Sequence, residues 1–153
     1  MALKQMETQL KELFQHQKLA VLATMNDTSE PYVSLVAFAA VEELGRLLFL
    51  TSRSTRKFRN MLSCSRVSML IDNRTNQASD FDTALAATAI GRVAEQRGPD
   101  KADLLRIFLE KHPELQTFAI EPSSALMEIV VERYLLVSRF QEVQQLDLPP
   151  LQD

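Results

Sequence analysis

Glycine is scarce in this chain of 153 residues: only Gly45, Gly91 and Gly98 are present. Neither G-x-G-x-x-G nor G-x-x-x-x-G-K-[ST] can be written with them, so neither a Rossmann dinucleotide fold nor a P-loop is supported. Cysteine occurs once, at Cys64, so an internal disulfide and a multi-cysteine metal site are excluded, and no metal is expected. Cys64 follows a predicted helix with no histidine near it in sequence and reads as packing. Tryptophan is absent. No run approaches the ~18 apolar residues of a membrane span. The N-terminus, where Lys4, Glu7, Lys11 and Glu12 interleave with apolar residues, does not read as a signal peptide. The expected location is the cytoplasm, with no membrane partner.

What is present reads as one domain over residues 1–153, long enough to bury a core without disulfide or metal staples. Leu3, Met6, Leu10, Leu13 and Phe14 recur at helical spacing, so residues 1–17 carry an amphipathic helix. Lys18 to Met25 and Tyr32 to Val41 read as strands of a hairpin turned by Asn26 to Pro31. Glu42-Glu43-Leu44-Gly45 turns the chain into a third strand, Arg46 to Thr51, whose Leu47-Leu48-Phe49-Leu50 centre suits burial on both faces. A helix follows, capped by Ser52 or Ser54, with Phe58, Met61 and Leu62 on its apolar side. Val67 to Ile71 and Thr83 to Ala94 are further strands around a polar excursion, Asp72 to Asp82. Pro99 to Lys111 reads as a helix stopped by Pro113. The last strand is the clearest alternation, with Met127, Ile129 and Val131 against Glu128, Val130 and Glu132, and residues 142–153 read as a polar tail. Six strands joined mostly by short turns close best as a barrel, which removes exposed edges.

Positive charge is concentrated in an acidic protein. The chain is net −3, yet residues 44–71 hold Arg46, Arg53, Arg56, Lys57, Arg59 and Arg66 without one acid. The run Leu50-Thr51-Ser52-Arg53-Ser54-Thr55-Arg56-Lys57 reads as a strand end, a hydroxyl-rich turn and a helix start. A helix N-terminus with free N–H groups, hydroxyls and cations can bind a phosphate. The same residues could equally cap a helix and solubilise a face, and composition does not choose. Thr55, Arg56 and Lys57 share the first turn, and Arg59 is expected to point away, solvated or paired with an acid. His16 and His112 fall at predicted helix ends, where imidazolium suits the dipole. Asp80 and Asp82 lie in the polar loop and read as solvated, so no catalytic residue is assigned.

The order of these segments resembles the FMN-binding split β-barrel family typified by pyridoxamine 5′-phosphate oxidase, over about residues 10–96. The motifs are Leu22-Ala23-Thr24, Pro31-Tyr32-Val33-Ser34-Leu35-Val36, Leu48-Phe49-Leu50-Thr51, Ser54-Thr55-Arg56-Lys57-Phe58-Arg59-Asn60, Ser65-Arg66-Val67-Ser68-Met69-Leu70 and Ala89-Ile90-Gly91-Arg92-Val93. The resemblance implies a mainly β fold with peripheral helices, a six-stranded antiparallel split barrel that binds FMN. It implies that Thr51, Ser52, Thr55, Arg56 and Lys57 hold the flavin, with the cations on its phosphate, and that Val33, Ser34 and Leu35 lie along the ring. It further implies a homodimer with cofactor at the interface, and Asn73 and Arg74 follow the strand that would reach across. Two departures stand out: Ala86 falls where the namesake oxidase has a flavin-touching glutamine, and its Arg- and Trp-bearing C-terminal motif has no counterpart. The resemblance therefore points to the broader family and not to vitamin B6 oxidation.

The expected function is an FMN-binding flavoprotein, an oxidoreductase acting on a small molecule. The alternative is a non-catalytic module of the same fold that stores or senses flavin, or binds haem or deazaflavin. A nucleic-acid binder is not expected, because the basic segment has only Phe58 interleaved and the chain is acidic overall.

Overall fold

The computed structural model describes residues 2–41 and 43–150, so Glu42 of the predicted turn and the last three residues of the expected tail lie outside the described residues. Seven strands are present among the described residues: β1 (Leu19–Met25), β2 (Pro31–Val41), β3 (Arg46–Ser52), β4 (Arg66–Asp72), β5 (Leu85–Glu95), β6 (Ser124–Ser138) and β7 (Glu142–Asp147). All pair antiparallel in the order β3-β2-β1-β4-β5-β6-β7, and β3 also pairs with β6. That last pairing closes β1–β6 into a six-stranded barrel, as expected, with β7 added outside the ring. The helices are α1 (Ala2–His16), α2 (Arg56–Ser63), α3 (Asp80–Thr83), α4 (Lys101–Lys111) and α5 (Gln116–Ala119), with a 3₁₀ turn at Pro113–Leu115. Among the described residues no helix is long and apolar enough to cross a membrane.

Alternation along each strand divides the apolar side chains between two clusters. The larger one fills the barrel and joins Leu22, Phe38, Leu47, Phe49, Met69, Ile129 and Tyr134 to Met6, Leu10, Leu13 and Phe14 of α1. Burying each such side chain contributes about 1.5–3 kcal/mol, which is why a helix polar on its other face stays docked. Leu3, expected on the same face, is instead exposed. The smaller cluster lies on the outer side of β2 and β3, where Ala39, Val41, Leu48 and Leu50 meet Leu104 and Phe108 of α4. β3 is therefore covered on both faces, as its unbroken apolar run predicts.

The tail expected after Gln141 is partly a strand. Residues 142–147 pair with β6 from Ser138↔Glu142 to Arg133↔Asp147. Only Leu146 of β7 is buried, so the strand is held by backbone pairing to a neighbour and leaves no apolar period to read. In the turn before β3, Glu43 (φ 50°) and Leu44 (φ 78°) take the left-handed conformation, and Gly45 does not. Leu44 is buried, and the Tyr134 hydroxyl donates to its carbonyl at 2.7 Å, so tertiary contacts hold a bulky residue where its own preference is poor.

Gly91 sits where the register between β5 and β6 shifts, leaving Glu132 as an extra residue in β6. A Cβ there would collide with the Val130 carbonyl oxygen across the ladder. Gly91→Ala is expected to lower stability by about 1–3 kcal/mol, read as a lower urea midpoint. Lys111 supplies a second expectation, since burial pushes its ammonium down to about 8 from 10.5. Below pH 8 folded and unfolded chains both carry the charge, and the fold bears its full desolvation cost. Between about 8 and 10.5 the unfolded chain binds a proton that the fold has released, so stability gains with pH. The difference between wild type and Lys111→Met, followed by chemical denaturation, should shift in favour of wild type across that window.

Candidate functional site

β2 and β3 pair only where Phe38–Val41 faces Arg46–Phe49. Beyond that stretch they part. Residues 31–37 of β2 keep their pairing with β1, from Pro31↔Met25 to Ala37↔Leu19, while Leu50, Thr51 and Ser52 keep theirs with Leu126, Ala125 and Ser124 of β6. The parting opens a cleft of about 470 Å³, within the ~300–1,000 Å³ range of small-molecule sites. Its polar side is Thr51, Ser52, Thr55 and Lys57; its apolar side includes Leu35, Val36, Ala37, Phe108, Leu115 and Phe118. The Phe38 N–H donates to Lys18 on the β1 side, and alternation turns the N–H and C=O of Val33, Leu35 and Ala37 toward the open edge.

The turn after β3 is built by hydroxyls. Thr55, and not Ser52 or Ser54, caps α2: its Oγ1 accepts from Phe58 N at 3.3 Å and donates to the Ser52 carbonyl at 2.8 Å. Thr51 Oγ1 lies 3.1 Å from Thr55 Oγ1, and Ser52 Oγ lies 2.9 Å from Ser54 Oγ. The serines are thereby engaged with each other ahead of the cap position. Asn60, buried in α2, donates from Nδ2 to Thr24 Oγ1 at 3.0 Å and ties the helix to β1. Leu62, expected on the packed side, is 74% exposed; Asn60 holds the inward position.

The cations divide three ways. Arg53 is committed to structure: Nη2 meets Glu95 Oε2 at 2.6 Å, and Nη1 donates to the Pro122 carbonyl at 2.8 Å. This bond holds the Glu95 carboxyl below its ordinary range, with Arg97 adding to it at 3.1 Å. Arg56 lies over the Tyr32 ring, 5.4 Å from its centroid, and lines a polar hollow with Asn26, Asp27 and Arg59. Arg59 does not point away from Arg56, because residues three apart on a helix share a face; its Nη1 donates to the Ser54 carbonyl. Lys57 alone of the three basic residues of the 53–57 run reaches the cleft.

Charge at this helix start is inverted. Arg56 and Lys57 occupy the first turn of α2, which holds no acid. Cations there oppose the helix dipole, each by about 0.3–1 kcal/mol, and a bound anion would reverse the sign of that cost. An anionic group with an apolar, planar body fits the cleft: hydroxyls, N–H groups and an ammonium stand at one end, and a strand edge with an apolar wall continues from them.

The remaining expected site residues are divided between the cleft border and other parts of the fold. Val33 and Leu35 are outward and exposed, at 62% and 66%, and Leu35 borders the cleft. Ser34 points to the opposite face; its Oγ is buried and makes no hydrogen bond among the described residues. The Asn73 amide oxygen accepts from Leu85 N at 2.7 Å and pins the start of β5, away from the cleft of its own chain. His112 is buried, with Nε2 2.7 Å from the Phe38 carbonyl, and His16 caps its own helix through Glu12. The Asp80 carboxylate accepts from Thr75 and Asn76 and shapes the loop; the Thr75 hydroxyl, chiefly, lowers its pKa. Phe108, Leu115 and Phe118 were not legible as site residues, because they come from a distant segment whose local pattern records only an amphipathic helix and a short turn. Thr55→Ala removes the cap and the contact to Thr51, and is expected to cost about 1 kcal/mol, measured as a shift in the urea midpoint at unchanged slope.

No curated protein matches the chain. Solved structures of similar fold include a haem-binding protein from Mycobacterium smegmatis, at 15% identity and TM-score 0.77, covering 86% of this chain. This chain spans only 53% of that protein's length. HutZ, the haem storage protein of Vibrio cholerae, matches at 19% identity and TM-score 0.69, over 82% of this chain and 94% of its own. An FAD-binding protein from Mesorhizobium loti matches at 19% identity and TM-score 0.63, over 84% and 91%. These likenesses establish the fold. The family model for pyridoxamine 5′-phosphate oxidase matches residues 6–138, from the middle of α1 to the end of β6, and the chain belongs to that family.

Proposed function

We propose that the cleft at the parting of β2 and β3 binds FMN and that the protein is a flavin-dependent oxidoreductase acting on a small molecule. The observation that carries this reading is the juxtaposition of an acid-free helix start, Thr51, Ser52, Thr55 and Lys57 with the open edge of β2. The phosphate lies at the start of α2, receiving hydrogen bonds from backbone N–H groups, the hydroxyls and the Lys57 ammonium. The ring lies along Val33 to Ala37, whose backbone groups on the open edge serve its polar rim. Leu115 and Phe118 keep water from the inner side. When bound, FMN supplies hydride and electron transfer at its ring; the chain orients it and limits access.

Two of the similar structures are a haem-binding protein and a haem storage protein, and haem binding is the second reading. Neither histidine of this chain lines the cleft, and an inverted helix start asks for a phosphate more than for a porphyrin, so flavin is preferred. We further propose a homodimer in the cytoplasm. Leu19, Val33 and Leu35 form an exposed apolar row beside the cleft, at 56%, 62% and 66% exposure, and a second copy laid over that row would also roof the flavin.

Titration with FMN, followed by quenching of flavin fluorescence, is expected to saturate at one flavin per chain, and Lys57→Ala to weaken it tenfold to a hundredfold. That loss corresponds to one charge-assisted hydrogen bond of about 1.5–3 kcal/mol. Equal affinity in wild type and Lys57→Ala would remove the phosphate assignment, and preferential saturation by haem would select the second reading. Anaerobic bleaching of the bound flavin by NADH or NADPH tests turnover.

A further inference from the structure

A second cavity lies on the other side of α4 from the flavin cleft. It encloses about 340 Å³ between α1, the end of β2 and α4, and its apolar lining includes Phe14, Ala39, Val41, Leu44 and Ile107. Lys111 reaches into it from the last turn of α4, half-buried. Its ammonium donates to the Phe14 carbonyl at 2.8 Å and stands 3.9 Å from the centre of the Phe38 ring. An ammonium has three donors, and no carboxylate pairs with this one among the described residues. Lys11 stands at the rim, as does Glu43, and neither makes an ion pair there among the described residues. A desolvated cation without a counter-ion is costly, and the cost appears as the depressed Lys111 pKa already described. A positive head position at one end of an apolar hollow is complementary to one class of molecule.

We propose that this cavity is a binding site for a small amphipathic carboxylate, a medium-chain fatty acid or compact aryl acid, whose carboxylate pairs with Lys111 and whose apolar body fills the space between α1 and α4. Lys11 adds attraction at the rim. The site does not depend on the flavin reading, since Phe108 of α4 faces the cleft whereas Ile107 and Lys111 face this cavity.

The test is calorimetric titration of the full chain with octanoate and with 1-octanol, together with amide chemical-shift mapping. Saturable octanoate binding is expected, at least tenfold tighter than 1-octanol, with shifts centred on Gln15, Ala40, Val41 and Ile107. Lys111→Met should weaken octanoate at least tenfold and leave 1-octanol unchanged, and Lys11→Ala should weaken octanoate two- to fivefold. The surface variant keeps the proposal testable should Lys111→Met fold poorly. Absence of saturable octanoate binding, equal binding of acid and alcohol, undiminished affinity in both variants, or shifts centred on Leu35, Thr55 and Phe118 would each overturn it.

Discussion

The geometry of this protein depends on β3 being claimed by two partners in succession. Its first half is shared between β2 and β6, and its second half, Leu50 to Ser52, is held by β6 alone. Because β6 draws the end of β3 away while β1 keeps residues 31–37 of β2, the barrel closes and splits in one motion. Ordinarily an unpaired strand edge invites aggregation. Here it faces a cleft instead, with the start of α2 beside it.

Electrostatics in the basic segment follow from that split. A run of cations could not all serve one anion: Arg53 clamps the end of β3 to Glu95 of β5 and to the Pro122 carbonyl, and Arg46 pairs with Glu128 at 3.2 Å. These half-buried, charge-assisted contacts hold the segment in which Thr55 caps and Lys57 projects. Arg56 and Arg59, one helical turn apart, form a separate polar hollow with Asp27. Two cations remain at the start of α2 without an acid in its first turn, an arrangement unfavourable to the helix and favourable to an anion.

α4 has a double role in packing. Leu104 and Phe108 cover the outer face of β2 and β3, and Phe108 also walls the cleft, whereas Ile107 and Lys111 line the cavity toward α1. One amphipathic helix thus separates two hollows of opposite access, and its last turn brings a lysine against Phe14 and Phe38.

Local hydrophobic pattern, whether periodic or an unbroken run, was enough for α1, α2, α4 and the six barrel strands, because what each buries is written locally. The alternation of Met127, Ile129 and Val131 and the continuous run Leu47 to Leu50 are examples. The closing of strands into a barrel and the hydroxyl-rich, acid-free start of α2 were likewise legible, as was the order of motifs that marks the family. Other features required the tertiary structure. β7 carries one buried residue and exists because β6 offers a free edge. The inward place fell to Asn60 because a distant partner, Thr24, was there to bond it; the cap fell to Thr55 through local bonds to Ser52 and Phe58. Which cation faces the cleft, which is spent on Glu95, and which apolar residues from α4 and α5 wall the site depend on long-range pairing. Local sequence encodes the faces that each element must bury; only the closed barrel determines which faces meet.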